Sequence, residues 1–300
     1  MVKLFLILLG SFWMSCGNSP HAAKKAISLE EKKEESLRTS NDTILLDDSK
    51  NEGATVSEET KAVATTAAPV AIAGERSKPS EKEVVKPDHS KWTSLLAKYV
   101  NAKGDVDYKS FQNDAGSLDR YLYQLAENSP EKDWSKNEKL AYYINLYNAA
   151  TVKLILDNYP TTSIMDIKNP WGRNWIKTGD GVLSLGNIEH KILRKMNEPR
   201  IHFAINCASF SCPKLLNKAF TADQMQKQLH EVTLEFINDA TRNSISKEKM
   251  QLSKIFKWYK KDFTKNGSLA DYIKPYTEVE INGNADIDFL KYDWNLNEAK

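Results

Sequence analysis

The stretch Asn137–Tyr159, N-E-K-L-A-Y-Y-I-N-L-Y-N-A-A-T-V-K-L-I-L-D-N-Y, constrains the fold more than any other. Stepped at about 100° per residue, its apolar side chains occupy almost the whole circumference, so the predicted helix must be enclosed on all sides. Ser135 or Asn137 offers an N-cap and Tyr159-Pro160 a stop. Two asparagines lie inside this apolar surface, Asn145 beside Leu156 and Asn148 between Val152 and Ile155. A buried amide without partners is costly, so each must bond something. Both bracket a neighbouring loop, or both belong to a site.

The rest of the folded chain has to wrap that helix. Helical spacing of apolar residues recurs over 92–99, 111–127, 184–196, 222–238 and 252–263. Ile201–Asn206 alternates like a strand, and Glu278–Phe289, with Asn282-Gly283 at its turn, reads as a hairpin. The expected class is α+β: helix-rich, with the central helix packed on a small antiparallel sheet that contains 201–206 and the hairpin. Residues 161–181 form a long irregular connection, of the kind that often borders a site.

Ahead of this lies a different kind of chain. Residues 1–16 read as a lipoprotein signal peptide: Lys3, the apolar run Leu4–Phe12, then Ser15-Cys16, where Cys16 would become the lipidated first residue. Residues 17–88 hold no aromatic residue and are dominated by Lys, Glu, Ser, Thr and Ala, which cannot bury enough apolar surface to fold. As a flexible coil, this tether reaches roughly 45–50 Å. Residues 89–300 are the globular domain. The expected place is the bacterial cell envelope, lipid-anchored at the outer membrane or the periplasmic face. Net charge is +2 with both signs interspersed, so no nucleic-acid partner is expected.

Candidate chemistry gathers in two places. Within the predicted helix 184–196, Glu189 falls in the middle of the apolar arc, where a carboxylate needs a cation or a cluster of donors. His190 and Arg194 lie just beyond its edge. The second place is Arg200–Pro213, R-I-H-F-A-I-N-C-A-S-F-S-C-P. A cysteine at the end of a buried segment can be presented as a nucleophile, which needs a base and an orienting group. Cys207 with His190, and Glu189, Asn145 or Asn148 as orienter, supplies the set. His202, Arg194, Ser211 and Cys212 are the binding candidates around it. As a strand, 201–207 would put His202 on the face opposite Cys207, so His190 is preferred as base. The competing reading is a Cys207–Cys212 disulfide, which the envelope permits although so short a loop gains little entropy. From spacing alone the two readings stand level. A metal site from His202, Cys207 and Cys212 lacks a fourth ligand and a paired C-x2-C motif, so neither metal nor cofactor is expected.

Four blocks in order, I-N-L-Y-N-A (144–149), I-E-H-K-I-L-R (188–194), Arg200–Pro213 and F-L-K-Y-D-W-N-L-N (289–297), resemble the DUF547 family. The resemblance implies a papain-like, cysteine peptidase-like fold. It also implies a bacterial lipoprotein in agreement with Cys16, and a site of Cys207 and His190 with Glu189. Plant members keep the cysteine at Cys207 and carry serine at Cys212, which implies an auxiliary role for Cys212. The expected function is an envelope-anchored cysteine hydrolase, a peptidase or an acyl or amide transferase, acting on a peptide or other envelope substrate. The alternative is a non-catalytic binding or scaffold lipoprotein in which Cys207 and Cys212 are structural.

Overall fold

The structure, a computed structural model, describes residues 86–300. The signal peptide, Cys16 and all but the last residues of the tether lie outside them.

Helix α1 (Ser90–Tyr99) buries Trp92, Leu95, Leu96 and Tyr99. A short α2 (Tyr108–Phe111) leads through a 3-10 turn into α3 (Ala115–Glu127), which buries Leu118, Tyr121 and Leu125. Helix α4 (Lys136–Asn158) is the enclosed helix that the apolar circumference requires. Its first turn is closed by a capping box: the Ser135 hydroxyl accepts from the Glu138 N–H, and the Glu138 carboxylate accepts from the Ser135 N–H. Fifteen of its side chains are buried, Asn145 and Asn148 among them. Helix α5 (Met225–Asn238), which buries Met225, Leu229, Val232 and Phe236, packs against α4 and against the 199–203 turn. Short helices α6 (Lys254–Trp258), α7 (Lys260–Phe263) and α8 (Leu269–Ile273) follow.

The fold is α+β, as expected, but its β part differs in three ways. Residues 201–206 are not a strand: Pro199–Phe203 is a 3-10 helix and 205–207 runs as irregular chain. The alternation there comes from a segment buried on every side, in which Ile201 to Cys207 are all buried. Residues 278–289 are not a hairpin. The turn at Asn282 forms, with the Ala285 N–H donating to the Asn282 carbonyl, but no strand precedes it. Instead β5 (Asp286–Phe289) lies parallel to β4 (Lys249–Leu252), which pairs antiparallel with β3 (Ser244–Ile245). The only purely antiparallel sheet among the described residues is the ribbon of β1 (Ile176–Thr178) and β2 (Gly181–Leu183). Helix α4 is therefore enclosed chiefly by helical segments: α3, α5 and the 187–196 region.

Residues 184–196 also depart from a regular helix. Asn187–Ile192 is a π-helix, continued by a 3-10 turn over Leu193–Met196. It opens on a reciprocal pair: Ser184 N–H donates to Asn187 Oδ1, and Asn187 N–H to Ser184 Oγ. A widened turn of this kind re-aims side chains and recurs at functional sites. Here it carries Glu189, 4 % exposed, into the core.

Candidate functional site

The loop that carries Cys207 is fixed at every step. Asn148 uses both ends of its amide on it: Nδ2 donates to the Ala204 carbonyl (3.0 Å) and Oδ1 accepts from the Asn206 N–H (2.8 Å). Asn206 then clamps the loop's two limbs, donating to the Pro213 carbonyl and accepting from the Ala208 N–H, each at 2.8 Å. From the far side, Phe210 N–H donates to the Asn295 carbonyl, Ser211 N–H to that of Asp293, and Asn297 N–H to that of Ala208. The Ser211 hydroxyl accepts from the Asp293 N–H (2.8 Å). Arg242 finishes the brace with bonds to the Phe210 and Cys212 carbonyls. Asn145 works elsewhere, holding the main chain of Phe220 through both its N–H and its carbonyl.

Within the loop, both cysteines are buried and not joined by a disulfide, their sulfurs 2.9 Å apart. A disulfide would bring them to about 2.05 Å. Cys212 Sγ accepts the Cys207 N–H (3.0 Å), and either sulfur can donate its proton to the other. Ser209 Oγ stands 3.2 Å and the Tyr292 hydroxyl 3.4 Å from the same sulfur, and they bond each other at 2.8 Å. Burial pushes the Cys212 thiol up, and the bond and charge of Cys207 add to that shift. Burial likewise pushes the Tyr292 phenol up, with the two cysteines as further causes. Both groups therefore stay protonated, and with Ser209 they place three protic groups within hydrogen-bonding distance of Cys207 Sγ.

Glu189 shares Tyr147 as a neighbour with the thiols. It accepts hydrogen bonds from Tyr147 (3.3 Å) and from Tyr259. These hydroxyls are part of the donor cluster that the buried carboxylate requires. Burial first, then the charges of Glu189 and Cys207, keep Tyr147 protonated, so one phenol lies within the field of both candidate groups.

His190 is tied to Arg194. Its Nδ1 is 3.1 Å from Arg194 Nη1, and a guanidinium can only donate, so Nδ1 is unprotonated and a neutral ring carries its proton on Nε2. Arg194 also makes two bonds to Asp262 (2.7 and 3.3 Å), and Asp262 accepts from His202 Nε2 (2.9 Å). Burial alone would raise the Asp262 carboxyl, but the bonds and charges of His202 and Arg194 outweigh it and hold it well below the usual carboxylate range. His202 is buried, stacked on Tyr259 at 3.8 Å, and its pKa is pulled down by burial against the pull of Asp262. Its Nδ1 has no hydrogen-bond partner. The structure thus brings together Cys207, Cys212 and Ser209 in one group, and His190, Arg194 and His202 in another. Asn148 braces the first; Asn145 and Ser211 bond main chain.

Five participants are not marked by the sequence: Ser209, Tyr292, Tyr147, Tyr259 and Asp262. Tyr292 sits inside the block 289–297 and Tyr147 inside 144–149, where no spacing marks either for a role. Asp262 carried a signal in being the one carboxylate among the aromatic residues of 252–263. Among the described residues no group of His, Cys, Asp and Glu is placed to hold a metal ion.

The fold and this donor set define an α+β domain built around a guarded pair of thiols. Residues 131–237 match the family model described as protein of unknown function, DUF547. Three of the four sequence blocks lie inside the match, and the block 289–297, with Tyr292, lies beyond it. No curated protein and no solved structure matches the chain.

Proposed function

We propose that the domain is a cysteine-dependent acyl-transfer enzyme, a hydrolase, peptidase or acyl or amide transferase, with Cys207 as nucleophile. The reading extends to an envelope lipoprotein anchored through Cys16, with a peptide or other envelope substrate, and to a papain-like relation of the fold. One observation carries it: Cys207 Sγ has Cys212, Ser209 and Tyr292 as protic neighbours, and the two with raised pKa values remain donors. Such a set stabilises a thiolate, the form that attacks a carbonyl. The leaving proton needs a base. For His190 to serve, its Nδ1 must release Arg194, because an imidazolium carries protons on both nitrogens. Arg194 keeps its two bonds to Asp262 when that happens.

The test is iodoacetamide labelling of the full chain across pH, with sites read by mass spectrometry. Cys207 is expected to label well below pH 8 and Cys212 not to label there. Tyr292→Phe should move the Cys207 midpoint upward and His190→Ala should shift it. A Cys207 that labels only near the ordinary thiol range, about pH 8.5, would overturn the reading. A second reading, a binding or scaffold lipoprotein with a structural cysteine pair, is favoured by the 2.9 Å separation of the sulfurs. Its sign is a Cys207–Cys212 linked peptide recovered from untreated protein.

A further inference from the structure

The same loop supports an activity that acyl transfer does not use. We propose that Cys207 and Cys212 form a peroxide-reactive pair, in which Cys207 is oxidised by a hydroperoxide and Cys212 resolves the product to a disulfide. The proposal rests on Cys207 being the ionised thiol, as argued above.

Three features carry it. The sulfurs already lie 2.9 Å apart, so closing to a bond of about 2.05 Å needs under about 1 Å of movement. The main chain on both limbs is fixed: Asn206 spans from Ala208 to Pro213, and Arg242 holds the carbonyls of Phe210 and Cys212. Closure is then a matter of side-chain rotation. Finally, a disulfide across so short a loop contributes little to stability, so fold maintenance does not account for two thiols in this position.

The steps balance with the oxidant named. The Cys207 thiolate attacks one oxygen of ROOH, the O–O bond breaks, and RO⁻ takes a proton and leaves as ROH. Sulfur is oxidised to Cys207–SOH and the peroxide is reduced. Ser209 and the Tyr292 hydroxyl, hydrogen-bonded to each other beside the sulfur, form a chain that can pass that proton. The Cys212 thiol then attacks Cys207 sulfur, gives up its proton, and the S–O bond breaks with loss of water. A dithiol reductant returns both thiols and becomes a disulfide itself. Cys207 is only 8 % exposed, so its sulfenic acid meets Cys212 before a second peroxide.

The experiment treats the reduced full chain with one equivalent of hydrogen peroxide, then alkylates, digests and weighs the peptides. The expected product is a Cys207–Cys212 linked peptide, 2 Da lighter than the dithiol form by loss of two hydrogens, which dithiothreitol reopens. In Cys212→Ser, dimedone should trap Cys207 instead. Both cysteines still alkylatable after excess peroxide would overturn the proposal. So would a sulfinic acid at Cys207 with no link. If Cys207 still labels with iodoacetamide below pH 8 in those cases, only this inference falls and the nucleophile reading stands. If Cys207 labels at neither reagent, both fall.

Discussion

Ala208, directly after the candidate nucleophile, holds φ +59°, a region that costs an alanine roughly 1 kcal/mol. It is held there by its N–H bond to Asn206 and by the Asn297 N–H on its carbonyl. Glycine enters this region freely but is less restricted when unfolded, so Ala208→Gly should change stability by no more than about 1 kcal/mol. A branched side chain fits neither the angle nor the space, since Ala208 is fully buried. Ala208→Val should therefore cost about 2–4 kcal/mol. Urea unfolding of the two variants checks the pair; equal costs would mean that the backbone angle does not matter. Sequence gave no warning of this angle, because alanine is not a residue that marks positive φ.

At the scale of elements, α4 shows what was legible. Its length, cap and all-round burial follow from periodicity and from Ser135 and Glu138, which are local. The asparagines were recognisable as buried amides, but their partners were not, because Phe220 and Asn206 lie 75 and 58 positions away. The same limit explains the parallel pairing of β4 with β5. Asn282-Gly283 is a strong turn signal, yet a turn says nothing of a strand contributed by a distant segment. The local reading of 201–207 failed for another reason: full burial mimics alternation when the polar residues, His202 through its Nε2 and Asn206 through its amide, find hydrogen-bond partners inside. A substitution separates the two amide brackets. Asn148→Ala leaves the Ala204 carbonyl and the Asn206 N–H unpaired and should cost about 2–4 kcal/mol while speeding Cys207 alkylation. Asn145→Ala should cost a similar amount by releasing Phe220 and leave the alkylation rate unchanged. Equal effects on the rate would remove Asn148 from its place as the loop's brace.

For the whole domain, one group sets an acid limit. His89 precedes α1, with Nδ1 2.7 Å from the Tyr121 hydroxyl, and burial pulls its pKa down to about 4. The folded domain therefore resists protonation that the unfolded chain accepts at about 6.5. The contribution is complete above pH 6.5, falls as pH drops through the interval, and is gone near 4, a loss of up to about 3 kcal/mol. Denaturation midpoints between pH 7 and 4.5 should show that slope, and His89→Phe should reduce it. An unchanged slope in the variant would assign the acid loss to other groups, of which buried His202 is the next in line.

The segment 286–298 runs past three parts of the domain that lie far apart in the sequence. Glu298 bridges to Val106, Asn295 to Ser163, and Leu296 to Ser209, while Tyr292 reaches Cys207. Viewed in the order in which a ribosome makes the chain, the consequence is one of timing. Both thiols emerge long before their last guard, since Tyr292 follows Cys207 by 85 positions. Helices α4 and α5 can pack in that interval, but the donor set cannot close. Whatever reactivity Cys207 owes to Tyr292 thus arrives with the finished domain, and a half-made chain carries only two ordinary thiols.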